Sequence, residues 1–203
     1  MNHFFAIKLP QQAQETVYQL AEEWRPLVMR SSWYDPEDYH LTLKFLGNLD
    51  EAAQPRLIEA ARPIAESVQP LLVEAAPPGG FPSMRDPSVL WAGVSVNPDL
   101  DTLATRLDHA MASLGFRPER RRYQPHITVA RCRLRTVHFD KNQEGLVPID
   151  WPLPSECLFD NFMADRFVLL QTRSGEGRAN RTGIRYNIVQ TFPLTGAHSS
   201  DVS

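Results

Sequence analysis

Cysteine is scarce in this chain: Cys132 and Cys157 are the only two among 203 residues. Neither spacing nor number fits a metal knuckle or a disulfide framework, so a reducing compartment is the simpler reading. Long hydrophobic runs are missing too. No segment approaches a membrane span. The opening "MNHFFAIKLP" has four consecutive apolar residues, too few for a signal-peptide core. A cytoplasmic protein with no membrane partner is therefore expected. Neither sign of charge dominates, with a formal net charge of −3, so any anion site must be a local patch. The signatures G-x-S-x-G, P-loop and G-x-G-x-x-G do not occur, and no histidine adjoins either cysteine. These absences argue against nucleophilic catalysis and nucleotide-cradling glycine loops.

The chain does contain a four-residue pattern that occurs twice. "HLTLKF" begins at His40 and "HITVAR" at His126. With ordinary residue usage, two of six histidines would share such a pattern in about one sequence in a thousand. The two histidines are 86 residues apart, and the same slide lays "FFAI" (4–7) over "LWAG" (90–93), with Ala6 on Ala92. Each half reads as strand, helix, then a strand carrying His-x-Thr-x. Two similar lobes facing one another, each giving one histidine to a shared cleft, would account for the repeat.

Periodicity fills in the elements. Strands are expected at 4–9, 40–47, 70–76, 88–94, 126–132, 166–172 and 184–192. Helices are expected at 11–25, with Ala13, Val17, Leu20, Ala21 and Trp24 on one face, and at 99–114, with Leu100, Leu103, Leu107, Met111 and Leu114 inward and Gly115 as stop. Asp50 caps another, whose stripe is Leu57, Ile58, Ala61 and Ala65. "PPGGFPS" (77–83) reads as a loop, 136–155 as an irregular connection and 173–183 as a hairpin loop. The chain reads as one bilobal domain over residues 1–193, followed by a polar tail, 194–203, that frays.

In a strand, residues i and i+2 share a face. His40 therefore lies beside Thr42, and His126 beside Thr128, while Leu41, Leu43, Ile127 and Val129 anchor the other face. Two imidazoles that titrate near neutrality can act as one general base and one general acid. The hydroxyls need an acceptor, and a phosphoryl oxygen suits them. Seven arginines and a single acid, Glu119, lie between 117 and 135. Arg131 follows the second motif and is a candidate phosphate ligand. For Arg117, Arg120, Arg121 and Arg122, a solvated basic face is the simpler reading. Phe45 could stack on a base, yet it falls off the histidine parity, which favours a core position. Two histidines make a poor zinc site, so no metal and no cofactor are expected. Unaided acid–base chemistry is enough for a strained 2′,3′-cyclic phosphate, whose leaving oxygen stays tethered.

The paired motifs, with "FFAI" at the start and "VLWAGV" before a helix, resemble the two-histidine (2H) phosphoesterases. Within that superfamily they look most like the bacterial RNA 2′,3′-cyclic phosphodiesterases, also described as 2′-5′ RNA ligase-like proteins. The resemblance implies a bilobal α+β fold with antiparallel sheets around a central cleft. It implies hydrolysis of RNA or nucleotide 2′,3′-cyclic phosphate ends to 2′-phosphates, without metal or cofactor. Separately, a monomer is expected. His40 would donate a proton and His126 accept one, Thr42 and Thr128 would hold phosphate oxygens, and Arg131 would join them. The same site could join 2′-5′ ends by the reverse reaction. A binding module without turnover is the alternative of another class, and it would be favoured by loss of a motif histidine; both are present.

Overall fold

In a computed structural model, residues 1–28, 31–132, 159–172 and 186–196 are described. The chain forms β1 (Asn2–Lys8), α1 (Gln11–Trp24), β2 (Ser31–Trp33), β3 (His40–Asn48), α2 (Gln54–Ser67), β4 (Leu71–Val73), β5 (Ala75–Phe81), β6 (Val89–Val94), α3 (Pro98–Ser113), β7 (His126–Cys132), β8 (Phe162–Ala164), β9 (Arg166–Thr172) and β10 (Tyr186–Pro193). The fold is α+β, as expected. The helices follow their predicted stripes. Leu100, Leu103, Leu107 and Met111 are buried on α3, each contributing about 1.5–3 kcal/mol by leaving water. Asn97 caps that helix by accepting from Leu100 N at 2.9 Å, and Gly115 ends it at φ +95.

Eight strands form one sheet in the order β10-β9-β1-β3-β7-β6-β5, with β2 also on β7; β4 and β8 pair separately. All pairings are antiparallel. The sheet has two halves, β10-β9-β1-β3 and β7-β6-β5. They meet at a single rung, Leu41 opposite Ile127. Beyond it the edge of β7 is taken by β2, from Trp33 opposite Ala130 to Ser31 opposite Cys132, so β3 and β7 must diverge. One face of the sheet carries the main core with the helices, including Phe5, Ile7, Leu41, Leu43, Ile127 and Val129. The other face carries a small cluster of Phe4, Ala6, Val168 and Leu170, with Tyr186 against it. The motif histidines rise from that second face.

Three expectations change. Residues 77–81 are not a loop: β5 runs through Pro77, Pro78, Gly79 and Gly80. It is the end strand of the sheet, where proline need not donate to a ladder. Its glycine at 79 serves packing, because a Cβ there would overlap the Trp91 ring. The strands flanking the two motifs align one residue differently from the expected slide. Lys8 lies opposite His40 and Gly93 opposite His126, so Ile7, not Ala6, corresponds to Ala92. The polar tail does not begin at 194. Leu194 is buried, and Thr195 N and Gly196 N donate to Ala65 O and Val68 O at 3.2 and 2.9 Å. The expected connection at 136–155 and the hairpin loop at 173–183 lie outside the described residues. No helix among the described residues is long and apolar enough to cross a membrane.

Candidate active site

Each motif strand alternates outward and inward for four residues and then breaks step. In β3 the ladder with β1 pairs Ala6 with Thr42 and Phe5 with Lys44, leaving Leu43 as an extra residue. In β7 the ladder with β6 pairs Trp91 with Thr128 and Leu90 with Ala130, leaving Val129 as an extra residue. The same bulge thus follows the threonine of both motifs. A bulge re-aims what comes after it. Leu43 and Lys44 are both buried, as are Val129 and Ala130, and the next residues, Phe45 and Arg131, emerge. Phe45 is 51% exposed, which overturns the core position that simple alternation favours. Its ring faces Phe4 at 6.4 Å, on the histidine side of the sheet.

The imidazoles are held alike. His40 Nδ1 lies 2.6 Å from Asp38 O, and His126 Nδ1 lies 2.8 Å from Gln124 O. A carbonyl only accepts, so Nδ1 carries the proton in both rings and Nε2 is the remaining nitrogen. Aromatic rings frame each one. His40 has Phe4 at 4.8 Å and Tyr186 edge-on at 5.0 Å. His126 has Phe81 edge-on at 5.0 Å and Trp91 at 6.1 Å.

Burial disfavours the charged imidazolium on both. His40 is pushed down to about 4, chiefly by burial; the bond to Asp38 O opposes this, and the charges of Lys8, His126 and Arg131 add to it. His126 is lowered mainly by burial, opposed by the bond to Gln124 O and reinforced by Arg131. Arg131 therefore acts on both rings. Its guanidinium is fixed by Nε donating to Tyr34 Oη at 3.0 Å, which raises its own pKa further. Tyr34 stacks on Tyr186 at 6.5 Å, so a chain of rings crosses from Arg131 to His40.

Thr42, Phe45 and His126 share the wall of a 460 Å³ cavity that continues along α3. His40 and Arg131 lie outside that wall and are tied to it by the ring contacts and charges just described; Thr128 also lies outside it, two residues after His126 on β7. Alternation in the sequence missed Lys8, Phe4, Tyr34, Phe81 and Tyr123. Tyr123 Oη donates to Thr42 O at 2.9 Å and so joins the segment before His126 to the first motif. The apolar tetrapeptide FFAI near the start is a signal for Phe4; the others have none. Of the remaining histidines, His109 is exposed as expected. His3 is structural, buried between Met1 O and the Gln54 side chain at 3.0 Å each. His138, His198 and Arg185 lie outside the described residues. Among the described residues no three His, Cys, Asp or Glu side chains are grouped to hold a metal ion.

Residues 9–176 match the model of the 2′-5′ RNA ligase superfamily, and the chain belongs to this family. A Bacillus subtilis RNA 2′,3′-cyclic phosphodiesterase is 32% identical over 84% of this chain and 87% of its own length. The fold recurs in a Thermus thermophilus protein, TT0787, with TM-score 0.75 and 23% identity over 98% of this chain and all of that one. It recurs also in E. coli LigT complexed with 3′-AMP, with TM-score 0.72 and 24% identity over 96% and 98% of the two chains.

Proposed function

We propose that this chain hydrolyses 2′,3′-cyclic phosphates at the ends of RNA, or of nucleotides, to 2′-phosphomonoesters. The observation that carries the reading is the matched pair of imidazoles, each pinned through Nδ1 to a backbone carbonyl and each within the field of Arg131. His126 Nε2 removes a proton from water as the water oxygen bonds to phosphorus. His40 takes up a proton from solvent at Nε2 as the anionic substrate binds; the bond from phosphorus to O3′ breaks, and His40 Nε2 gives that proton to O3′. The products are a 2′-phosphate and a free 3′-hydroxyl, and solvent returns each imidazole to its starting state. Thr42, Thr128 and Arg131 stabilise the extra charge on the phosphoryl oxygens.

The proton affinities suit these roles by strength. The more depressed imidazole, His40, is the stronger acid once protonated, and His126 is the better base of the two. The dianionic phosphorane favours imidazolium and offsets the cost of charging His40. Phe45 offers an aromatic face to substrate from the first lobe. A monomer in the cytoplasm is part of the same reading; the reducing compartment rests on sparse cysteine usage.

The test is direct. Phosphorus NMR of a 2′,3′-cyclic nucleotide incubated with the protein should show conversion to the 2′-phosphate. His40→Ala and His126→Ala should each slow it by about 10²–10⁴-fold, the usual worth of a positioned acid or base. Near-normal turnover without either histidine refutes the proposal.

A further inference from the structure

The arginines at 120–122 take no part in the chemistry above, yet they are not scattered. The 460 Å³ cavity beside His126 includes Arg121, Arg122 and Phe45 in its wall. A second cavity, of 670 Å³, includes Arg120 and shares Phe45 and Arg121 with the first. The two therefore form one track leading from His126 past the exposed Phe45 ring. Both volumes lie in the range of small-ligand sites.

The track is basic despite the acids along it. Three acids, Asp101, Asp108 and Glu119, line the two cavities against Lys44 and the four arginines Arg117, Arg120, Arg121 and Arg122, and Asp108 and Glu119 are engaged by the buried Lys44 ammonium at 2.5 and 3.6 Å. Among the described residues no acid pairs with Arg120, Arg121 or Arg122. The segment that presents them is anchored at three places. Lys44 Nζ donates to Arg117 O at 2.8 Å, Glu119 N donates to Asp108 Oδ1 at 3.0 Å, and Tyr123 Oη donates to Thr42 O at 2.9 Å. Unpaired guanidinium groups on an anchored segment, beside an exposed aromatic ring, make the combination that single-stranded nucleic acid recognises: backbone charge plus a stacking surface.

We propose that this track binds the RNA strand upstream of the cyclic-phosphate end, so that the preferred substrate is an oligonucleotide and not a free cyclic nucleotide. Arg121 and Arg122 take internucleotide phosphates and Phe45 stacks on a base. The proposal rests on the phosphodiesterase reading above, because that reading places the strand's end between the two histidines.

The experiment compares 2′,3′-cyclic AMP with an adenosine hexanucleotide ending in a 2′,3′-cyclic phosphate. In the intact protein, kcat/KM at low salt should favour the hexanucleotide by about tenfold or more. Its logarithmic salt dependence should be steeper by about 1.4, for two phosphates at about 0.7 each. The double variant R121A/R122A should lose most of that preference and most of the extra slope, while R121K/R122K keeps the slope. Phe45→Ala should reduce the preference by about tenfold, the scale of one stacked base. Equal kcat/KM for the two substrates in the intact protein, or an unchanged preference in R121A/R122A, overturns the proposal. Anisotropy of a labelled hexanucleotide carrying a terminal 2′-phosphate reads the track without turnover. Binding weakened by R121A/R122A supports it, and no binding by the intact protein overturns it. Absence of hydrolysis with both substrates strikes only the phosphodiesterase reading, and the binding arm then decides the track by itself.

Discussion

His40 should make the protein acid-sensitive in a pH range where carboxylates are still silent. Its pKa is about 4 in the folded state, against about 6.5 in an unfolded chain. A histidine lowered on folding is neutral in the native state and takes up a proton on unfolding, so stability rises with pH. The contribution is complete above the unfolded value and is lost as pH falls from 6.5 toward 4. Between pH 7 and pH 5, linkage gives a loss of about 2 kcal/mol from this one ring. His40→Asn keeps a short side chain with an N–H able to reach Asp38 O, and removes the titration. Urea unfolding of both proteins at pH 7 and pH 5 should show the intact protein losing about 2 kcal/mol more than the variant. His126 and His3 are also lowered by burial and contribute equally to both proteins, so the difference isolates His40. An equal loss in the two would mean that His40 titrates normally, and the case for a strong acid poised in the cleft would fail. The same displacement predicts that kcat/KM for the cyclic phosphate is already falling with rising pH below neutrality, and that this alkaline limb is lost in His40 variants whose residual rate can be followed.

Replacing Tyr34 with phenylalanine removes the acceptor of the Arg131 Nε–H. We expect kcat/KM to fall by about tenfold, the worth of one hydrogen bond to a charged group, with the thermal midpoint nearly unchanged; normal kinetics would show that Tyr34 does not orient the guanidinium. Lys44→Met leaves the Asp108 carboxylate, 15% exposed, without its cation. Urea unfolding should report a loss of about 3 kcal/mol, partly restored by adding Asp108→Asn, and a loss confined to Lys44→Met with no recovery would argue against the ion pair as the cause. Activity should persist after exhaustive chelation, measured by the same phosphorus NMR assay, because the candidate site is built from two imidazoles, two hydroxyls and a guanidinium; recovery only on adding a divalent ion would refute this.

Much of this architecture is legible in the residues. The repeated His-x-Thr-x marks the two strands that meet, and period-2 and period-3.6 patterns place most strands and the three helices. What escapes is what breaks a period. Phe45 and Arg131 lie five residues after their histidines and so belong, by alternation, to the opposite face. The bulges at Leu43 and Val129 return them to the cleft, and nothing in a single sequence marks a bulge built from leucine or valine. β5 escapes for the opposite reason: Pro77, Pro78, Gly79 and Gly80 signal a turn locally, but an edge position and the flat face of Trp91 make them a strand. β2 and β8 are three residues each, too short for any period to show, and the expected strand at 70–76 is divided between β4 and the start of β5. Lys44 reads as a solvent residue in a strand, and only the fold reveals the carbonyl and carboxylates that justify burying it.

The rung that sets Lys8 opposite His40 sets Gly93 opposite His126. Two near-copies of one half-site, facing each other, would hold a proton with equal ease on either ring, and a reaction between them would have no preferred sense. Burial breaks that parity, and Lys8 widens the difference. It adds a cation beside one imidazole, and the matching position on the other side has no side chain at all. The lysine is itself half-buried, lowered mainly by that burial, and secured by donating to Glu37 O. A duplicated scaffold thereby acquires a polarity: burial first, and then one added cation, set His40 apart from His126, the asymmetry that the proposed acid and base roles would use.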